Sequence, residues 1–363
     1  VSPILNILRF ILALCVVFYH FHGELAGDAG RVAVVGFFLI SGFLITLIVN
    51  ETYPTPAHNW NFLVNRFLRI YPQYVFAALV GLAAILISPE SSHALNPVMN
   101  VPDGWGEIVP HFTIFGLYLN TARLSPPTWS LNTELYYYLL IGLFTGRSRM
   151  LSWAALLILL PLGYLTFLGA IPFFFYGDPV GNGFIFVAGS LAYWYRWEIV
   201  RLARRRWVIW ALFAFYLFQV FILHRYTSDK KNLVLSTMVL FLLVPMLWSL
   251  RLDWLSPAMR QALQIIGHAS YPVFLLHWGI GALLVGTVYG GVIPPKGELL
   301  TWVVIVTIPV SIAAVYMIDL PVERIRRRFR RQAPPTATVE REAPTPLSLG
   351  AAVALSPGAG TPP

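Results

Sequence analysis

Ten apolar stretches recur between residues 4 and 320, each close to the length of a membrane-crossing helix, and they leave little room for any other fold. A helix needs about 20 mostly apolar residues to cross a bilayer. The pattern predicts spans over 4–22, 32–50, 67–88, 128–145, 150–169, 179–197, 207–224, 232–250, 270–289 and 299–320. Lipid offers no hydrogen-bond partner, so an internally bonded helix is the form such stretches take. The expected fold class is therefore all-α, a polytopic membrane helix bundle of about ten transmembrane helices. The segment 111–120 is too short to span and reads as interfacial or re-entrant.

Composition agrees. Charged residues make up only 11% of the 363-residue chain and hydrophobic residues 57%. Soluble domains carry about 25% charge. The net charge of +9 does not point to nucleic acid, because the basic residues lie between apolar spans. With an N-terminus inside, Arg66, Arg69, Arg147, Arg149, Arg196, Arg201, Arg204, Arg205, Arg206, Arg251, Arg260 and the run 324–331 fall on the cytoplasmic side. The other side holds only Arg31, Arg123, Arg225, Lys230, Lys231 and Lys296. That asymmetry predicts both termini in the cytoplasm, and we expect a bacterial inner (plasma) membrane location. The first span carries polar groups and is followed by no small-residue cleavage site, so it does not read as a leader. Residues 1–331 form the expected membrane domain. Residues 332–363, rich in Pro, Ala, Thr and Gly, read as a disordered cytoplasmic tail.

The first span is the one with chemistry on it. Arg9 and His20 are eleven residues apart, which at about 100° per residue puts them on one face, roughly 16 Å apart along the axis. Glu24 lies one turn beyond His20. Ionisable groups on an apolar helix mark a functional site unless they are structurally paired. Cys15, the only cysteine, falls on a different part of the helix and reads as packing filler; no disulfide within the chain is possible. The histidines show no metal-ligand spacing, and no metal is expected.

Five local patterns, in order, resemble the acyltransferase-3 family of integral membrane acyltransferases. They are the Arg9-x10-His20 spacing, FFLISGFLIT from Phe37, RFLRIYPQY from Arg66, TWSLNTELYYYLL from Thr128 and SYPVFLLHW from Ser270. Two departures stand out. Gly36 occupies a position where the family often has Ser or Thr, and Leu135 and Tyr136 replace a Glu and a Gln, leaving Glu134 as that motif's only carboxylate. The resemblance implies transfer of an acyl group, acetyl in the first instance, from acyl-CoA to a hydroxyl of a carbohydrate or glycosylated product.

Such chemistry needs a base for the hydroxyl proton, donors for the oxyanion and cations for the donor's phosphates. His20 is the expected base, with Glu24 nearby and Glu134 farther along the chain as carboxylates to orient it. An acyl-histidine intermediate would use the same residue. Arg9, Arg66 and Arg69 are the expected acyl-CoA phosphate ligands, the latter two sharing a face at i,i+3. Each has a structural alternative: an intramembrane ion pair for Arg9, interfacial anchoring for Arg66 and Arg69. Ser41, Trp129 and His277 are expected to meet substrate. For Ser41-Gly42 the alternative is close helix packing, for His277 a satisfied buried histidine, and for Glu134 pairing with a buried arginine. The rival function is a transporter or flippase that uses the Arg9/His20 stripe as a relay. It would call for interrupted helices and internal symmetry, neither of which the sequence displays.

Overall fold

The computed structural model describes residues 2–22, 29–171, 178–203, 206–223, 226, 229–250 and 254–331. Among them the chain is helical throughout, with no strand. The elements are α1 (Pro3–His22), α2 (Ala29–Glu51), α3 (Asn59–Ile87), α4 (Pro89–Leu95), α5 (Gly104–Thr113), α6 (Thr128–Leu139), α7 (Arg149–Leu168) and α8 (Pro179–Trp194). They continue with α9 (Arg196–Leu202), α10 (Arg206–Phe221), α11 (Asp229–Ser249), α12 (Pro257–Thr287), α13 (Lys296–Ala314) and α14 (Leu320–Arg331). Two π turns, Leu140–Phe144 and Val315–Asp319, extend α6 and join α13 to α14.

Each of the ten expected stretches is a helix, and seven helices are long and apolar enough to cross a membrane. The chain is an integral membrane protein. α6 with its π turn, α8 and α10 are shorter; a 16-residue helix such as α8 rises about 24 Å, against a hydrocarbon core of about 30 Å. α8 is almost wholly buried, so its length is matched to protein neighbours rather than to lipid. α7 is the opposite case, turning Leu157, Ile158, Tyr164 and Leu168 outward. The stretch expected to be interfacial, 111–120, takes in only the last three residues of α5 and a short turn at Leu117–Leu119; α5 itself begins earlier and exposes Trp105, Val109 and Phe112 along one face, as an interfacial helix would. The proposed tail, residues 332–363, lies outside the described residues.

Three helices begin or end well beyond their apolar runs. α3 starts at Asn59 rather than at residue 67, α12 at Pro257 rather than at 270, and the last span continues through a π turn to Arg331. The extensions are polar, and hydropathy cannot see them. They are stable as helix because they pack on one another around a basic cavity, not on lipid.

α1 and α2 run antiparallel and, with α3, α6 and α12, enclose the centre of the bundle. The outer side of α2 lies directly on α8. A Cβ at Gly42 would come within 1.9 Å of the Phe186 carbonyl oxygen, and one at Gly189 within 2.1 Å of the Leu39 carbonyl oxygen. Reciprocal glycines thus let the two backbones touch, the role small residues play between membrane helices. Thr46 Oγ1 reinforces the contact by donating to Ser190 Oγ at 2.8 Å. This packing fixes the rotation of α2 and so aims Ser41 inward.

Candidate active site

Helices α1, α2, α3, α6, α12 and α14 line a polar space that narrows into the bundle. Its wide end is a cavity of about 420 Å³, entered among the polar extensions of α3, α12 and α14. Among the described residues six arginines line it: Arg9, Arg66, Arg69, Arg326, Arg327 and Arg330. At its floor Arg9 and Ser41 also line a second, narrower chamber of about 30 Å³, together with Glu134, Ser130, Tyr271, Phe37 and Phe274. That volume holds about two waters. The rings of Phe37 and Phe274 in its wall are 5.6 Å apart, and Phe274 lies 6.3 Å from the ring of His277.

The residues along this path follow helical periodicity. α12 contributes Gln264, His268, Tyr271, Phe274 and His277, at steps of three or four. α1 contributes Asn6 and Arg9 at the wide end and His20 at the far end. α2 runs the other way, with Ile48 and Leu44 at the mouth, Ser41 in the middle and Phe37 deepest.

At the far end His20 Nδ1 and His277 Nε2 are 2.9 Å apart. Their rings stack with centroids 5.1 Å apart, and the Trp278 ring is also 5.1 Å from His20. His277 is completely buried. Its Nδ1 has no partner in hydrogen-bonding geometry, with the carbonyls of Val273 and Phe274 in its surroundings one turn back.

In the middle, Glu134 accepts from Ser41 Oγ at 2.7 Å and from the Tyr138 hydroxyl. It shares the narrow chamber with Arg9, and its charge acts favourably on that guanidinium. Of the two carboxylates expected to orient His20, Glu134 therefore lies at the Arg9 level of the path. Glu24 lies outside the described residues.

At the mouth, Arg66 Nη2 donates to Asn65 Oδ1 at 2.9 Å, with its guanidinium 5.8 Å from the rings of Phe62 and Tyr138. Arg69 pairs with Asp319 at 3.4 Å. Asp319 also accepts from Gln73 Nε2 at 3.0 Å and lies 3.7 Å from His268. It is placed there by the second π turn, a local widening of the helix of the kind often found at functional sites. Trp129 packs edge-on against Phe38, one residue from the chamber wall. Gly36, the departure from the motif, faces α1: a Cβ there would meet Leu12 Cδ1 at 2.7 Å.

Residues 3–319 match the family model for the acyltransferase domain of the acyltransferase-3 family. The chain belongs to that family. No curated protein and no solved structure matches it. As an acyltransferase-3 protein it is a membrane acyltransferase, transferring groups other than amino-acyl groups, and it acts between an acyl donor, an acceptor and the lipid bilayer.

Several residues of the acyltransferase path escape sequence reasoning. Arg326, Arg327 and Arg330 read as members of a basic run at a membrane edge, yet they line the mouth. The signal for them is Glu323, three, four and seven residues before them, which marks one helical face as paired and directed. Gln261 and Gln264, which line the mouth, carry no comparable local signal, and neither does Asp319, whose partners Arg69 and Gln73 come from a distant helix.

Proposed function

We propose that the protein moves an acyl group, acetyl in the first instance, from acyl-CoA to a hydroxyl of a carbohydrate or glycosylated product, with His20 as general base. The observation that supports this reading is the succession along α1 and α12 of a six-arginine mouth, a narrow polar throat and a buried histidine pair. Arg9, Arg66 and Arg69 hold the donor's phosphates, for which guanidinium forks are suited. The pantetheine arm passes Ser41 and reaches toward His20, a rise of about 16 Å along α1 from Arg9. The throat is too narrow for that arm as it stands, so Phe37 and Phe274 turn aside when the donor enters.

The proton inventory follows from His277. Its buried Nδ1 lies among carbonyl oxygens, which repel a lone pair and favour N–H there. Nε2 of His277 is then the acceptor, and His20 Nδ1–H donates to it at 2.9 Å. This leaves a lone pair on His20 Nε2. Nε2 takes the acceptor's hydroxyl proton as the oxygen attacks the thioester carbonyl. The tetrahedral intermediate expels coenzyme A thiolate, and the imidazolium returns the proton to the sulfur. While His20 is charged, the Trp278 ring at 5.1 Å is within cation–π range. Glu134 steadies Arg9 and Ser41 rather than the base.

The concentration of arginine at the mouth supports a cytoplasmic opening, with both termini on that side of a bacterial inner membrane. The test uses purified protein with radiolabelled acetyl-CoA, following thioester hydrolysis and any labelled enzyme. Turnover or labelling that His20→Ala abolishes, with the helical content intact, is the expected result. Equal turnover by wild type and His20→Ala would overturn the assignment of the base. No turnover of acetyl or longer acyl-CoA donors would overturn the donor.

A further inference from the structure

We propose that α14 is a clamp for the 3′-phosphate of a coenzyme A donor, so that the mouth selects a nucleotide-bearing thioester over one carried on a bare phosphopantetheine arm. The inference rests on the donor reading above and adds to it residues from an element that the family motifs do not touch.

Arg326 is only 6% exposed, yet it lines the mouth. Its Nη2 donates to Asn65 Oδ1 at 2.9 Å, the same oxygen that accepts from Arg66 Nη2. One neutral amide therefore holds two guanidinium groups, from α3 and α14, against each other. The Nε atoms of both are buried and have no partner. Two buried cations repel, and the repulsion is large where water is scarce. The arrangement is what an anion between them would relieve. Glu323 fixes the rest of α14: it accepts from Arg326 at 2.7 Å and from Arg330 at 2.8 Å, which preorders both forks toward the cavity.

Charge counting points to the class of anion. Six arginines line the mouth, and the carboxylates near them are Glu323, Asp319 and Glu134, leaving an excess of three positive charges. Coenzyme A brings a diphosphate and a phosphomonoester, and the latter alone carries about −1.5 to −2 at neutral pH. A phosphopantetheine arm attached to a carrier has one phosphodiester charge and would leave most of that excess uncompensated. A cavity of about 420 Å³ falls in the range of small-ligand sites. Arg9, which also lines the throat, and Arg69 suit the diphosphate. Arg326 with Arg66, joined at Asn65, and the more exposed Arg327 and Arg330 suit the 3′-phosphate.

The test compares acetyl-CoA with acetyl-dephospho-CoA, which lacks only the 3′-phosphate, in wild type, Arg326→Ala and the pair R327A/R330A. Arg327 and Arg330 are 65% and 39% exposed, so the pair is informative even where loss of buried Arg326 unfolds the protein. One charge-assisted bond is worth about 1.5–3 kcal/mol, or about 10- to 100-fold. Wild type is expected to show a KM higher by about that factor for the dephospho donor. The variants should raise the KM for acetyl-CoA, and raise it much less for the dephospho donor, whose partner group is already missing. Equal penalties for both donors, or none, would overturn the clamp. Binding of adenosine 3′,5′-bisphosphate against adenosine 5′-monophosphate separates the two readings. A preference for the bisphosphate that R327A/R330A erases, in a protein that turns over no acyl-CoA, would sink the donor reading and keep the clamp. Loss of the 3′-phosphate preference on moving from phosphatidylcholine to phosphatidylglycerol nanodiscs would identify the anion as a lipid headgroup, and the clamp would fall.

Discussion

The histidine pair gives the sharpest test of mechanism, because a positioning role and a merely structural one predict different kinetics for His277. In the proposed mechanism the 2.9 Å contact holds the proton of His20 on Nδ1 and leaves the Nε2 lone pair for the acceptor. A hydrogen bond of this kind contributes about 0.5–1.5 kcal/mol net. Its loss therefore lowers the population of the productive tautomer by about 2- to 12-fold, since about 1.4 kcal/mol is a factor of ten. Loss of ring orientation adds to this. His277→Ala is expected to lower kcat by about 10-fold, and to lower Tm by opening a cavity beside Trp278 and Phe274. His277→Gln can return an amide oxygen to the position of Nε2 and should recover most of kcat. The KM for acetyl-CoA should stay the same in both, because the mouth lies at the other end of the path. His20→Ala removes the base itself, at a cost of about 10²- to 10⁴-fold. The double variant H20A/H277A should then be no slower than H20A, since a group acting only through His20 has nothing left to position. The assay is initial-rate thiol release from acetyl-CoA, with Tm measured on the same samples. Equal kcat for the Ala and Gln variants, or a rise in KM at constant kcat, would refute the tautomer argument.

Two further expectations concern structure. Gly42→Ala places a methyl within 1.9 Å of the Phe186 carbonyl oxygen, a backbone atom that cannot rotate away. Forcing α2 off α8 should cost about 1–3 kcal/mol, read as a lower Tm, and should loosen Ser41 from Glu134; an unchanged Tm would show that the two helices do not meet there. Outside the membrane, Glu107 on α5 accepts from the Thr121 hydroxyl, and from the backbone N–H groups of Asp103, Thr121 and Ala122 at 3.1 to 3.3 Å. The Thr121 bond, offset by some desolvation, holds its carboxyl below the ordinary value of 4.5. A depressed folded value means that the loop is stabilised above about pH 4.5 and loses this support as pH falls further through the folded value. Limited proteolysis within 114–126 should accelerate below that pH in wild type, and Glu107→Gln should flatten the dependence. An identical pH profile in both would refute it.

Much of the molecule was legible before its structure. The apolar runs dictated helices because lipid leaves the backbone no other partner, and all ten are present. The eleven-residue spacing of Arg9 and His20 set both on the side of α1 that meets α12, Arg9 in the chamber with Tyr271 and Phe274 and His20 against His277, since the period of a helix is fixed by its own hydrogen bonds. What a linear chain cannot express is the neighbour across the bundle. His277 was a plausible substrate contact, but only the packing of α12 on α1 made it the hydrogen-bond partner of His20. Glu134 read as either a site carboxylate or the partner of a buried arginine. The rotation of α6 and the α2–α8 contact set it against Ser41 and Tyr138, in the same chamber as Arg9. Hydropathy placed the α14 arginines at a membrane edge, because it registers solvation and not direction. The π turn at Val315–Asp319 and the docking of α14 on α3 then directed three of those arginines into the mouth. Backbone hydrogen bonding is local and can be read from sequence. Which face of one helix meets which face of another is settled by side-chain and backbone fit between segments hundreds of residues apart, and that fit belongs to the tertiary structure.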